Sequence, residues 1–223
     1  MQLVIFDCDG VLVDSELITN RVFVQMLNEI GLAVTLPDMF DLFVGKSMPQ
    51  CYELIERLRG VALPPGFDAA YVARTTAALT AQIEPVAGVG LVLDALDQRG
   101  IRYCVASSGT HQKMRTTLGR TGLLPRLQGR LYSITEVAAP KPAPDVYLHA
   151  ARRQGVAPAD CVVVEDSPTG CRAGVAAGMR VYGYCAHTPR RELLEAGAQA
   201  LVERMADLPA LWFAAETSPA GRP

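Results

Sequence analysis

Two aspartates flanking a single residue, Asp7-Cys8-Asp9, follow the apolar run Leu3-Val4-Ile5-Phe6 and give way at once to Gly10. A buried strand that ends in two carboxylates concentrates like charge. At roughly 4 Å and an effective dielectric near 20, each such pair repels by about 4 kcal/mol, so both ionise together only with a cation close by. Three further places carry groups of complementary chemistry. Ser107-Ser108-Gly109-Thr110 follows an apolar run and leads into helical periodicity, which sets a hydroxyl beside backbone amides at a helix start, a natural anion site. Lys141 stands between Pro140 and Pro142, and Glu165-Asp166-Ser167 closes another apolar run. Four carboxylates, one lysine and one hydroxyl are too negative to face an anionic ligand without a metal. Oxygen donors with no suitably placed histidine or cysteine favour Mg²⁺ over zinc. A calcium loop does not fit, because glycine falls at its fourth position and Ile18 takes the place of the closing glutamate.

The elements that must position these groups are legible as apolar runs at 3–6, 103–106, 131–134, 161–164, 181–184 and, more weakly, 200–202. Helical periodicity fills most of the intervals, at 89–99, 111–118, 145–154 and 169–177. Such alternation argues an α/β fold with a parallel sheet covered by helices on both faces. In a sheet of that kind ligands gather outside the carboxyl ends of the strands, where the polar groups above fall. The interval after the first strand differs: 17–30, 49–59 and 67–83 read as helices with no strand among them. We therefore expect an all-helical insert at 16–84, a core made of 1–15 and 85–214, and a disordered tail at 215–223.

Composition narrows the function classes. Net charge is −2 and no basic run is present, which argues against nucleic-acid or anionic-membrane partners. No apolar stretch approaches the ~20 residues of a membrane span, and the first strand pattern begins too early for a secretory signal, so a cytoplasmic protein is expected. The six cysteines lack C-x-x-C spacing and read as reduced core thiols. His111 and His149 fall off the motifs and read as helix-surface side chains.

The four motifs, in this order and spanning Asp7 to Asp166, resemble those of the haloacid dehalogenase superfamily of aspartate-nucleophile phosphotransferases, in the subfamily with a helical cap inserted after the first strand. The resemblance implies a Rossmann-like core. It implies Asp7 as the nucleophile that takes up the phosphoryl group and Asp9 as the acid and base. Ser107, Ser108, Gly109 and Lys141 would hold phosphoryl oxygens, and Mg²⁺ would be bound by Asp7, Asp9 through its main-chain carbonyl, and Asp166, with Glu165 close by or acting through water. The chain has eighteen arginines and three lysines, Lys46, Lys113 and Lys141; a lysine at the motif position suits a compact point charge there.

Within that superfamily an acid at position 9 points to phosphate esters, since halide departs without a proton. Sugar-phosphate mutases with this cap carry a histidine where Thr19 stands, and a threonine hydroxyl does not titrate near neutral pH. The resemblance thus implies a phosphatase acting on a small phosphorylated metabolite, a sugar or sugar-acid phosphate such as 6-phosphogluconate. The alternatives are a phosphomutase and, from another class, a non-catalytic phosphate-binding module. Gly45-Lys46-Ser47 in the cap falls where relatives place a substrate-contacting loop, and the chain is expected to act as a monomer or weak homo-oligomer.

Overall fold

The computed structural model describes residues 1–43, 46 and 48–213. Among them, six strands form one parallel sheet: β1 (Leu3–Phe6), β2 (Arg102–Ser107), β3 (Leu131–Ser133), β4 (Cys161–Glu165), β5 (Arg180–Tyr184) and β6 (Ala200–Val202). The order across the sheet is β3-β2-β1-β4-β5-β6. β1 is therefore central, with β2 on one side and β4 on the other, in registers that pair Ile5 with both Cys104 and Val163. The chain builds outward from β1 through β2 to β3, then returns to β4 on the opposite side. A reversal of this kind, here at the carboxyl end of β1, is where open α/β sheets place their ligands. β1 and β4 are buried at every residue, as expected of strands covered on both faces, which is why they read as unbroken apolar runs without alternation.

The chain divides into two compact units, one formed by Met1–Val13 and the segment from Pro85 onward, the other by Asp14–Glu84. Around the sheet lie α5 (Val89–Gln98), α6 (His111–Arg120), α7 (Leu124–Leu127), α8 (Asp145–Gln154), α9 (Pro168–Ala176), α10 (Arg190–Glu195) and α11 (Leu208–Phe213), preceded in the helical unit by α1 (Glu16–Glu29), α2 (Leu36–Leu42), α3 (Met48–Arg59) and α4 (Phe67–Gln82). One core packs Leu3, Ile5, Cys104, Val163 and Val181 of the sheet against Tyr147, Ala150 and Ala151 of α8 and Cys171 and Ala173 of α9. The helical unit has its own core around Phe23, which meets Phe43, Phe67 and Tyr71 edge to face.

Several details depart from the sequence reading. α2 was not expected, although Thr35 and Asp38 close a reciprocal capping box with Pro37 inside it, a legible start signal. α7, α10 and α11 are too short to show periodicity. The strand expected over 131–134 stops at Ser133, because Ser133 and Glu136 cap a 3₁₀ turn that begins at Ile134. The unit boundary falls two residues earlier than expected, at Val13, which bridges antiparallel to Pro85. The expected tail lies outside the described residues. All six cysteines are unpaired and buried. Among the described residues no helix is long and apolar enough to cross a membrane.

Candidate active site

The first motif is built by a tight turn. Leu12 and Val13 both donate to the Cys8 carbonyl, and Gly10 donates to Val13, so the chain doubles back within six residues of β1. Gly10 has φ of 76°, and a Cβ there would fall 1.9 Å from Oδ2 of Asp166. Only glycine satisfies both demands. The Asp166 carboxylate therefore lies against the turn that carries Asp7 and Asp9, although 156 to 159 residues separate them in sequence.

Lys141 reaches the same place from the loop before α8. Its Nζ donates to Asp7 Oδ1 at 2.6 Å, to Glu165 Oε1 at 2.8 Å and to the Ala106 carbonyl at 3.2 Å. All three ammonium protons are thereby used, and its side chain is 4% exposed. The ammonium also lies 4.6 Å from the ring centroid of Tyr147. Burial pushes the Asp7 carboxyl up to about 7 against the pull of Lys141, with Glu165 and Asp9 adding repulsion. Burial works against the Lys141 charge as well, but Asp7 and Glu165 outweigh it and hold the ammonium well above its usual range.

Glu165 does not share the setting of its neighbour Asp166. Oε1 accepts from Lys141 and from the Tyr147 hydroxyl (2.9 Å), and Oε2 from the backbone amides of Asp166 (3.0 Å) and Ser167 (2.9 Å) and from the Ser167 hydroxyl (2.9 Å). Burial opposes this charge, but Lys141 and the donors of Ser167 hold its carboxyl below the ordinary range. Five protein donors thus meet Glu165, which is expected at the metal directly or through water; its side chain faces Lys141 and α9, while that of Asp166 lies against Gly10.

Ser107 ends β2 fully buried, and its Oγ accepts the Gly109 amide at 3.0 Å, which leaves its own proton to be donated. Ser108 is exposed. Thr110 caps α6 through the Lys113 amide (3.2 Å). The Gly109 carbonyl is tied to β3 by the buried Ser133 hydroxyl at 2.7 Å. Lys113, which belongs to none of the four motifs, donates from Nζ to Asp9 Oδ2 at 2.8 Å across 104 residues. Lysine scarcity was its signal. His111 and His149, partly exposed on α6 and α8, share one partner: His111 Nε2 lies 2.8 Å from one Glu136 oxygen and His149 Nε2 lies 3.7 Å from the other. Lys46 is exposed in the helical unit, while Gly45 and Ser47 lie outside the described residues.

The site thus gathers Asp7, Asp9, Glu165 and Asp166 around Lys113 and Lys141, an excess of two negative charges that suits a divalent cation. No three His, Cys, Asp or Glu side chains among the described residues form a metal cage. Two carboxylates, Asp7 and Asp166, with a main-chain oxygen from the intervening turn, would leave the remaining positions to water and substrate. Mg²⁺ is commonly held in this way.

Comparison with known proteins identifies the family. A family model described as haloacid dehalogenase-like hydrolase matches residues 1–178. The chain belongs to the haloacid dehalogenase-like hydrolases. It is 31% identical over 216 residues to the 6-phosphogluconate phosphatase of Escherichia coli (strain K12), covering 96% of each chain. It is 30% identical to hexitol phosphatase A of the same organism, over 83% of this chain and 85% of the relative. Among solved structures, a haloacid dehalogenase family hydrolase from Deinococcus radiodurans R1 with bound phosphate and sodium aligns with a TM-score of 0.86 at 30% identity, covering 97% of this chain and 96% of its own.

Proposed function

We propose that this hydrolase is a Mg²⁺-dependent phosphatase of small sugar or sugar-acid phosphates, 6-phosphogluconate among them, acting through an aspartyl-phosphate on Asp7. The observation that carries this reading is the Lys141 ammonium 2.6 Å from Asp7, with Asp9 two residues on in its own ion pair. The names of the two relatives and the phosphate bound by the Deinococcus protein support the substrate class.

In the first half-reaction an Asp7 oxygen bonds to phosphorus while the ester P–O bond breaks, and Asp9 gives its proton to the departing oxygen. In the second, Asp9 takes a proton from water, the water oxygen bonds to phosphorus, and the acyl phosphate bond to Asp7 breaks. Ser107 and the amides of the Ser107–Thr110 turn hold the phosphoryl oxygens, and Lys141 keeps Asp7 oriented and offsets its charge. Mg²⁺, held by Asp7, Asp166 and the Asp9 carbonyl, would supply the remaining charge neutralisation that brings two anions together. Glu165 acts on Lys141 rather than on the metal. Thr19, whose hydroxyl donates to the Glu16 carbonyl at 2.9 Å, offers no group that relays protons near neutral pH, which favours a phosphatase over a phosphomutase.

A screen of phosphorylated metabolites for released phosphate, with Mg²⁺ and with Asp7→Asn in parallel, tests the proposal. Release by the wild type, lowered by several orders of magnitude in the variant, is expected because an amide is a poor nucleophile. Equal turnover by the two would refute the roles, and transfer to another sugar hydroxyl without free phosphate would identify a mutase.

A further inference from the structure

We infer that Lys113 is a positioning residue for Asp9, holding the acid/base carboxylate by one oxygen; this rests on the phosphatase reading above. Lys113 is the third residue of α6, where the helix dipole disfavours a cation. Something must compensate, and the ammonium is committed to Asp9 Oδ2 at 2.8 Å. Its side chain is 38% exposed and could have extended into water, yet it folds back along Gly109. A Cβ at Gly109 would lie 3.3 Å from Ser107 Oγ, 3.4 Å from Lys113 Cδ and 3.6 Å from Asp9 Oδ2. The phosphate-facing hydroxyl, the lysine stem and the Asp9 carboxylate therefore converge on one glycine. The two lysines of this unit divide the work: Lys141 faces Asp7 and Lys113 faces Asp9.

The chemical consequence follows from where charge develops. When Asp9 gives its proton to the ester oxygen it becomes a carboxylate, and its interaction with the fixed ammonium strengthens. An interaction that grows towards the transition state accelerates the step. A residue that only held the fold together would have no reason to discriminate between leaving groups.

The test compares kcat/KM of wild type, Lys113→Met, Lys113→Arg, Asp9→Asn and the Asp9→Asn/Lys113→Met double variant on 6-phosphogluconate, whose alkoxide must be protonated, and on 2,4-dinitrophenyl phosphate, whose phenolate leaves without a proton. We expect Lys113→Met to lose about 100-fold on the first, the lower end of what a positioned acid contributes, and less than about 3-fold on the second. Lys113→Arg should recover part of the loss, and the double variant should fall no further than Asp9→Asn alone. Equal losses on both esters, additive losses in the double variant, or wild-type rates in Lys113→Met would overturn the inference while leaving the phosphatase reading intact. A wild type that hydrolyses neither ester would instead sink that reading and this inference with it. Melting temperatures of the variants separate unfolding from lost positioning.

Discussion

Gly170→Ala offers a sharp test of the role given to Glu165. Gly170 is the third residue of α9 with ordinary helical backbone, where alanine normally stabilises by up to about 1 kcal/mol. Here a Cβ would fall 1.6 Å from Glu165 Oε1 and 1.9 Å from its Cδ. The carboxylate would have to leave five donors, including the buried Lys141. Breaking a buried ion pair costs about 3–5 kcal/mol, so after the helix gain the net loss is roughly 2–4 kcal/mol. At about 2–4 °C per kcal/mol for a chain of this size, melting should fall by roughly 4–16 °C. Gly90→Ala is the matched control, second in α5 with nothing within 4 Å of the added Cβ. Calorimetry or thermal circular dichroism on both variants decides the matter, with phosphate release followed in parallel. Gly90→Ala should melt at or slightly above the wild type. A Gly170→Ala protein as stable as wild type would refute the packing of Glu165 against α9, and full activity in a destabilised variant would refute its action on Lys141.

Two further outcomes follow from the same cluster. Because burial raises the Asp7 carboxyl to about 7 from 3.8, the unfolded chain ionises there at lower pH than the folded one, so metal-free protein loses stability as pH climbs from about 4 and bears the full cost above about 7. In chelator, Asp7→Asn should therefore gain stability relative to wild type as pH rises from 5 to 8, by roughly 3 kcal/mol, seen as a growing difference in melting temperature; a difference that does not change with pH contradicts the assignment. Tyr147→Phe removes the hydroxyl that donates to Glu165 at 2.9 Å and should cost about 1.5–3 kcal/mol, as a hydrogen bond to a charged acceptor does, measured by urea unfolding; no loss would show that the hydroxyl contributes nothing.

Pattern and composition alone carried the α/β class, the order of the motifs along the chain and the identity of the acids at the ends of β1 and β4. These follow from local rules: parallel strands buried on both faces read as apolar runs, and chain-reversing glycine follows the first aspartates. Capping boxes, Thr35 with Asp38 and Ser133 with Glu136, also mark α2 and the turn after Ser133 in the chain itself. Which cation faces which anion is set by the folded arrangement. Glu165 and Asp166 are neighbours in sequence, yet one is enclosed by Lys141, Tyr147 and α9 while the other lies against Gly10, because successive residues at a strand end face opposite ways. Lys113 meets Asp9, and His111 and His149 meet Glu136, across separations that no periodicity encodes. Pairing of this kind depends on the reversal of strand order around β1, which brings distant segments to neighbouring strand ends, and the alternation of side chains then selects the partners.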